Sequence, residues 1–173
     1  MAAGNTFTPI ATYTLPNSTT SAYTFSAISQ SYTHLYLAVN GSVTTQGYTY
    51  SIAFNGNTST YDHTAMEMGN FADLVPSYFS YGQLTSNAAY NGFSTTPGGG
   101  TALYWFPFYS VSTLQKAYIG TFGSPDYYET NICSGATAST AAITSLKVSP
   151  DGNNTRTNFL TGTTLTLYGI LEA

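Results

Sequence analysis

Apolar residues recur at every second position through much of the chain, and the spacing of a helix face is almost absent. A period of two marks a strand with one buried side. The cleanest case is residues 34–39, where Leu35, Leu37 and Val39 fall on one side and His34, Tyr36 and Ala38 on the other. Residues 48–54 repeat it, with Tyr48, Tyr50, Ile52 and Phe54 on one side. Asn40-Gly41 and Gln46-Gly47 lie between these runs and read as a hairpin connection. Asn55-Gly56 ends the second run with another turn signal. Short strand-prone pieces at 12–15 and 22–26 flank Asn17-Ser18, and residues 63–68 form a less regular candidate.

Order returns in the C-terminal half. Residues 102–106 read as a buried strand, with Pro107 pointing to an edge or a bulge. Residues 117–122 follow, then 143–148, which end at the turn Ser149-Pro150-Asp151-Gly152. Residues 163–171 close the chain with Leu165, Leu167 and either Gly169 or Ile170 inward. Between Gly69 and Gly100 the alternation dissolves around Pro76, Pro97 and Gly98-Gly99-Gly100, so 69–100 reads as a loop-rich insertion, with one helical turn at 70–74. About eight strands rich in Thr and Tyr, with turns between them, predict one all-β domain over 1–173. The expected form is an antiparallel two-sheet sandwich, jelly-roll-like, because a jelly roll pairs two sheets of that strand count.

Composition changes this picture in one respect. Only 6% of the 173 residues are charged, where an ordinary globular chain has about 25%. A surface of roughly 8,000 Å² then carries about one charge per interface-sized patch. Such a surface suits a chain docked to copies of itself or to a larger assembly. The expected partners include further copies, a trimer favoured over a dimer. Three basic residues, Lys116, Lys147 and Arg156, cannot line a nucleic-acid groove or a polybasic membrane patch. No apolar run reaches membrane-spanning length, and the N-terminus shows no signal peptide. The Asn-x-Ser/Thr matches at Asn17, Asn40, Asn57 and Asn153 are then chance occurrences in a Thr-rich chain. A lone Cys133 excludes an internal disulfide.

Candidate chemistry is sparse. Tyr61-Asp62-His63 with Glu67 is the densest polar cluster, but its spacing matches no zinc or calcium site, so no metal or cofactor is expected. Asp62 or His63 bonding a turn's backbone is the simpler reading. There is no Gly-x-Ser-x-Gly, and nothing pairs the carboxylates Asp62, Glu67, Asp73, Asp126 and Glu129 as a glycosidase needs. The expectation is a protein without catalytic residues, with a glycan hydrolase as a minor alternative. Aromatic residues in the loop-like stretch, Tyr78, Phe79, Tyr81 and Tyr90, are the candidate contact residues, since exposed tyrosines anchor interfaces or stack on sugars.

An ordered set of segments adds a resemblance. Ser31-Tyr32-Thr33-His34-Leu35-Tyr36-Leu37 is followed by Ile52-Ala53-Phe54-Asn55-Gly56-Asn57-Thr58, then Tyr61 and His63. Ala142-Ile143-Thr144-Ser145-Leu146 and Gly162-Thr163-Thr164-Leu165-Thr166-Leu167-Tyr168-Gly169-Ile170 come near the end. This set resembles a family of small virion proteins of tailed bacteriophages, cyanophages included, over 31–63 and 142–170. Members are head decoration (cement) proteins or tail-fibre-associated domains. The resemblance implies a structural protein of the virion that binds the major capsid protein and stabilises the head. The alternative it implies is a receptor- or glycan-binding domain of a tail fibre. A chain beginning at Met1 without a fibre-like stalk favours the first. The family implies no catalytic residues.

Overall fold

The computed structural model describes residues 6–17, 20–44, 50–56, 61–68, 74–81, 84–86, 99–124, 129–150 and 158–171. Every named element among them is a strand: β1 Phe7–Thr14, β2 Tyr23–Phe25, β3 His34–Gly41, β4 Tyr50–Phe54, β5 Tyr61–Met68, β6 Leu74–Tyr81, β7 Leu84–Ser86, β8 Gly100–Phe106, β9 Lys116–Ser124, β10 Glu129–Thr137, β11 Leu146–Ser149 and β12 Thr164–Ile170. They form two antiparallel sheets. The large one has the order β1-β12-β3-β8-β9-β10-β5-β6, the small one β2-β11-β4-β7. The all-β, two-sheet sandwich expected from the alternation is the observed architecture.

Alternation explains which side of each strand is buried. Leu35, Leu37 and Val39 of β3, Leu165 and Leu167 of β12, and Ala102, Tyr104 and Phe106 of β8 turn inward. Phe25, Ile52, Phe54, Leu146 and Val148 meet them from the small sheet. The Phe54 and Phe106 rings touch edge-to-face across the two sheets, 5.5 Å apart. Leu15, Ile28, Val43, Tyr109, Ile143 and Phe159 plug the core from the connections.

Three expectations are corrected. First, β3 and β4 are not a hairpin: β3 lies between β12 and β8, and β4 between β11 and β7. Both strands carry one apolar face, and those faces pack from opposite sheets into one core. Val43, just beyond β3, pairs with Phe159 and is buried. Second, the stretch read as loop-rich contains β6 and β7. Pro76 sits in β6, which is an edge strand, where a residue without an N–H is tolerated. The helical turn expected at 70–74 falls almost wholly outside the described residues, and Leu74 opens β6. Third, residues 102–106 form a central strand, not an edge, and Pro107 lies just beyond its end. Strand β10 was not anticipated at all.

The segments quoted for the resemblance interlock. Asn55 and Gly56 both have positive φ, 52° and 66°, as a tight turn of this hand requires. Asn55 Oδ1 accepts from the backbone N–H groups of Thr144 (2.7 Å) and Ser145 (3.1 Å), and its Nδ2 donates to the Ala142 carbonyl (2.8 Å). Gly169 packs so closely on the Tyr32 ring that a Cβ there would overlap it.

Candidate functional site

The outer face of the large sheet carries the unusual surface. Its residues are the second phase of each alternation, and the register lines them up from strand to strand. Tyr168 pairs with Tyr36, Tyr36 with Trp105, Trp105 with Ile119, and Ile119 with Ser134. The neighbouring row runs Thr166, Ala38, Leu103, Thr121 and Ile132. Phe7 of β1 lies against the rings of Tyr36 (5.7 Å) and Tyr168 (6.3 Å). Phe7 is 55% exposed, Ile119 50%, Ile132 45%, Phe108 41% and Trp105 39%, so among the described residues most of the large apolar side chains left in water lie on this one face or at its end. Contiguous exposure of this kind marks an interaction surface, whereas single exposed apolar residues do not.

The face ends at a rigid loop. Beyond β8 the chain turns through Pro107 and Phe108, and Phe108 has φ = 47°. A bulky residue in the left-handed region is strained by about 1–2 kcal/mol. Several bonds hold it there. The Phe108 N–H donates to His34 Nδ1 (3.0 Å), and Val111 N–H to the Phe108 carbonyl (3.2 Å). The Tyr109 hydroxyl donates to the Ser29 carbonyl, and Ile143 N–H to the Tyr109 carbonyl (2.9 Å). The imidazole of His34 then sits edge-on to both Trp105 (5.4 Å) and Phe108 (4.8 Å). Because Nδ1 accepts, the neutral ring carries its proton on Nε2.

Lys116 is the internal strut of this loop. Its side chain is buried, and its Nζ donates to the carbonyls of Val111 and of Leu114 (2.7 Å). Burial pulls its pKa below the usual lysine value. Burial also raises the pKa of Tyr36, and the neighbouring Tyr168 adds to the effect. Among the charged residues only Lys116 and Lys147 have described side chains. Lys116 points inward, and Lys147 is exposed on the small sheet. The described side chains of the outer face therefore include no Asp, Glu, Lys or Arg.

At the opposite end the face becomes hydroxylic. The Thr12 hydroxyl donates to Thr166 Oγ1 (3.2 Å), and Thr14 and Thr164 share a bond of 3.4 Å. A shallow polar pocket of about 340 Å³ opens nearby between Asn40, Ser42 and Thr164. Thr163 Oγ1 donates to the Ser42 carbonyl (3.2 Å) and accepts from the Ser42 N–H (3.2 Å), which commits the buried polar groups there to the fold.

The contact residues singled out in the sequence fare differently. Tyr78, Phe79 and Tyr81 lie on β6, paired with Thr64, His63 and Tyr61 at one edge of the large sheet, and their side chains lie outside the described ones. Tyr90 lies outside the described residues. Asp62, His63 and Glu67 are on β5, and no cluster of metal-ligating residues occurs among the described residues. Sequence reading passed over Tyr36, Trp105, Ile119 and Ile132. The available signal was in residues 102–106, where Leu103 and Trp105 make the second phase as apolar as the first.

No family model matches the chain, and no curated protein matches it. Among solved structures it is similar to an alginate lyase from Aplysia kurodai, with TM-score 0.27, 8% identity, and coverage of 84% of this chain and 72% of that one. A protein of unknown function from Shewanella oneidensis gives TM-score 0.28 and 7% identity over 98% of this chain and 81% of that one. Lectin I-B4 from Griffonia simplicifolia gives TM-score 0.20 and 8% identity over 96% and 94%. These scores are too low to argue a shared fold or function.

Proposed function

We propose that this chain is a non-catalytic structural protein of a phage particle, a capsid decoration or cement protein that stabilises the head by binding capsid subunits. The observation that carries the reading is the outer face of the large sheet. Phe7, Trp105, Ile119 and Ile132 are held in water on a rigid sheet, with no charged side chain described among them. Such a face is covered in its working state, because contiguous exposed apolar surface is rare on proteins that act alone. The resemblance over 31–63 and 142–170 supplies the assembly. The protein is then made in the host cytoplasm and resides in the virion.

The cluster of His34, Trp105 and Phe108 favours one second reading, a tail-fibre-associated glycan-binding domain, since exposed aromatic rings beside an imidazole N–H can stack on and bond a sugar. Imaging of intact particles labelled against this chain separates the two. Label over the head shell supports the cement reading. Label at fibre tips, together with binding on a glycan array, replaces it with the second. Absence of the chain from purified particles overturns both.

A further inference from the structure

We infer that the outer face of the large sheet pairs with the same face of a second copy, giving a two-fold dimer packed sheet on sheet. The inference rests on the reading that this face is covered in the assembly; it names a second copy as the cover and leaves the capsid contact to other surfaces of the dimer.

Four features of the face carry it. The first is size. Eight strands spaced about 4.8 Å apart, each roughly 23 Å long, make a face of about 900 Å². A stable interface takes about 800 Å² from each partner. The second is symmetry. Trp105 and Ile119 are register partners on β8 and β9, the two middle strands of the eight. A two-fold axis through that midline brings each copy's Trp105 and Ile119 onto the other's, the self-complementary arrangement that closes after two subunits. A buried aromatic at the centre is also where binding energy concentrates. The third is charge. None of the described side chains of the face is charged, and Asp62, which the register puts on this phase beside Ala136, lies on β5, away from the midline where the two copies' Trp105 and Ile119 meet. The threonine pairs Thr12–Thr166 and Thr14–Thr164 supply a polar end, as at the rim of an interface.

The fourth is what the edges forbid. Pro9 interrupts β1, whose register slips between Pro9 and Ala11, and Pro76 lies in β6. These are the two edge strands of the large sheet. Proline and bulges on edges oppose growth by strand addition. Association of the large sheet through its edges is thus disfavoured, and stacking sheets about 10 Å apart is the usual way to cover its face. A self-complementary face with its axis on the midline closes as a dimer, whereas the composition pointed to a trimer.

Trp105 is the only tryptophan, so it reports the contact directly. The experiment follows sedimentation and Trp emission of the purified chain from about 0.1 to 100 µM, alongside Ile119→Ser and Trp105→Arg. Both side chains are exposed, so the variants keep the fold, which their far-UV spectra check. The expected result is a monomer–dimer transition with a concentration-dependent blue shift, little affected by salt. Ile119→Ser should weaken the dimer by about 30-fold, the size of a hot-spot loss. A monomer with constant emission at every concentration overturns the pairing, and so does a trimer. A dimer that leaves Trp105 emission unchanged, or that both variants retain, overturns the assignment to this face. Labelling of particles is a separate measurement, so the cement reading stands or falls independently.

Discussion

The two sides of β8 have nearly the same chemistry and opposite fates. Ala102, Tyr104 and Phe106 are buried under the small sheet, while Thr101 and Trp105 on the other side are exposed and Leu103 is half-covered. Propensity cannot distinguish them, since aromatic and branched side chains suit either side of a pleat. The difference is a second sheet: one lies over the inner side and, among the described residues, none lies over the outer. An apolar strand side is therefore core or interface according to what covers it. Substitutions on the two sides should separate these roles.

The largest effect belongs to the inner side. Phe54 is buried and holds Phe106 across the sheets. Phe54→Ala should cost about 3–5 kcal/mol in urea unfolding, from lost transfer energy and the cavity left behind. A cost under about 1 kcal/mol would show that the sheets do not close there. Gly169→Ala comes next. The new Cβ overlaps the Tyr32 ring, which packs on Gly169 of β12, so a cost of about 1–3 kcal/mol is expected from overpacking. The companion Tyr32→Ala should make room and recover part of that cost in a double-mutant cycle.

How much of this the sequence reveals depends on the element. β3 and β12 are legible because one phase is aliphatic and the other mixed, and their inward leucines are those expected. β10 is not, because Thr-Asn-Ile-Cys-Ser-Gly-Ala-Thr has no apolar phase and earns its strand only by lying between β9 and β5. β6 is hidden by Pro76, which argues against a central strand but not against an edge. Pairing is less legible still: alternation tells which side of a strand is buried and is silent on its neighbour, so β3 and β4 read as a hairpin. The clamp between Asn55 and residues 142–145 joins segments about 90 positions apart, and the sequence shows only a turn signal at one end. The site was illegible for a related reason. Tyr36, Trp105 and Ile119 sit on the phase that a one-sided sheet leaves to polar residues, and each is separated from the next in sequence. Only the register brings them into a row.

The loop behind the face gives a smaller effect with a pH signature. Lys116 is buried with its pKa lowered, so the unfolded chain holds a proton that the folded chain has released in the window between the folded value and about 10.5. Its contribution to stability must therefore rise with pH through that window and stay at its lower level below it. The raised pKa of Tyr36 and of Tyr109, both mainly from burial, acts the other way: stability is present below pH about 10 and is lost above it. The difference between the native chain and Lys116→Met cancels the tyrosines. It should grow in favour of the native chain as pH rises from 8 towards 10.5. A flat difference would mean that the ammonium reaches water.

The smallest effect on the folded chain belongs to the outer side, and it completes the contrast. Ile119 is half exposed, so Ile119→Ser removes little buried surface and leaves no cavity. At a concentration low enough to keep the chain monomeric, its unfolding free energy should stay within about 0.5 kcal/mol of the native chain's. At high concentration the two should diverge. A native dimer gains apparent stability by mass action, while the variant gains it only at concentrations about 30-fold higher. The midpoint of thermal unfolding should thus rise with concentration for the native chain, and for Ile119→Ser the rise should begin only at concentrations about 30-fold higher. Phe54→Ala should lower the midpoint at every concentration, because its loss lies inside each copy. If Ile119→Ser destabilises the monomer as Phe54→Ala does, the outer side is core after all, covered by part of this same chain. If it changes nothing at any concentration, the face is bare surface and the contrast between the two sides of β8 has no functional meaning.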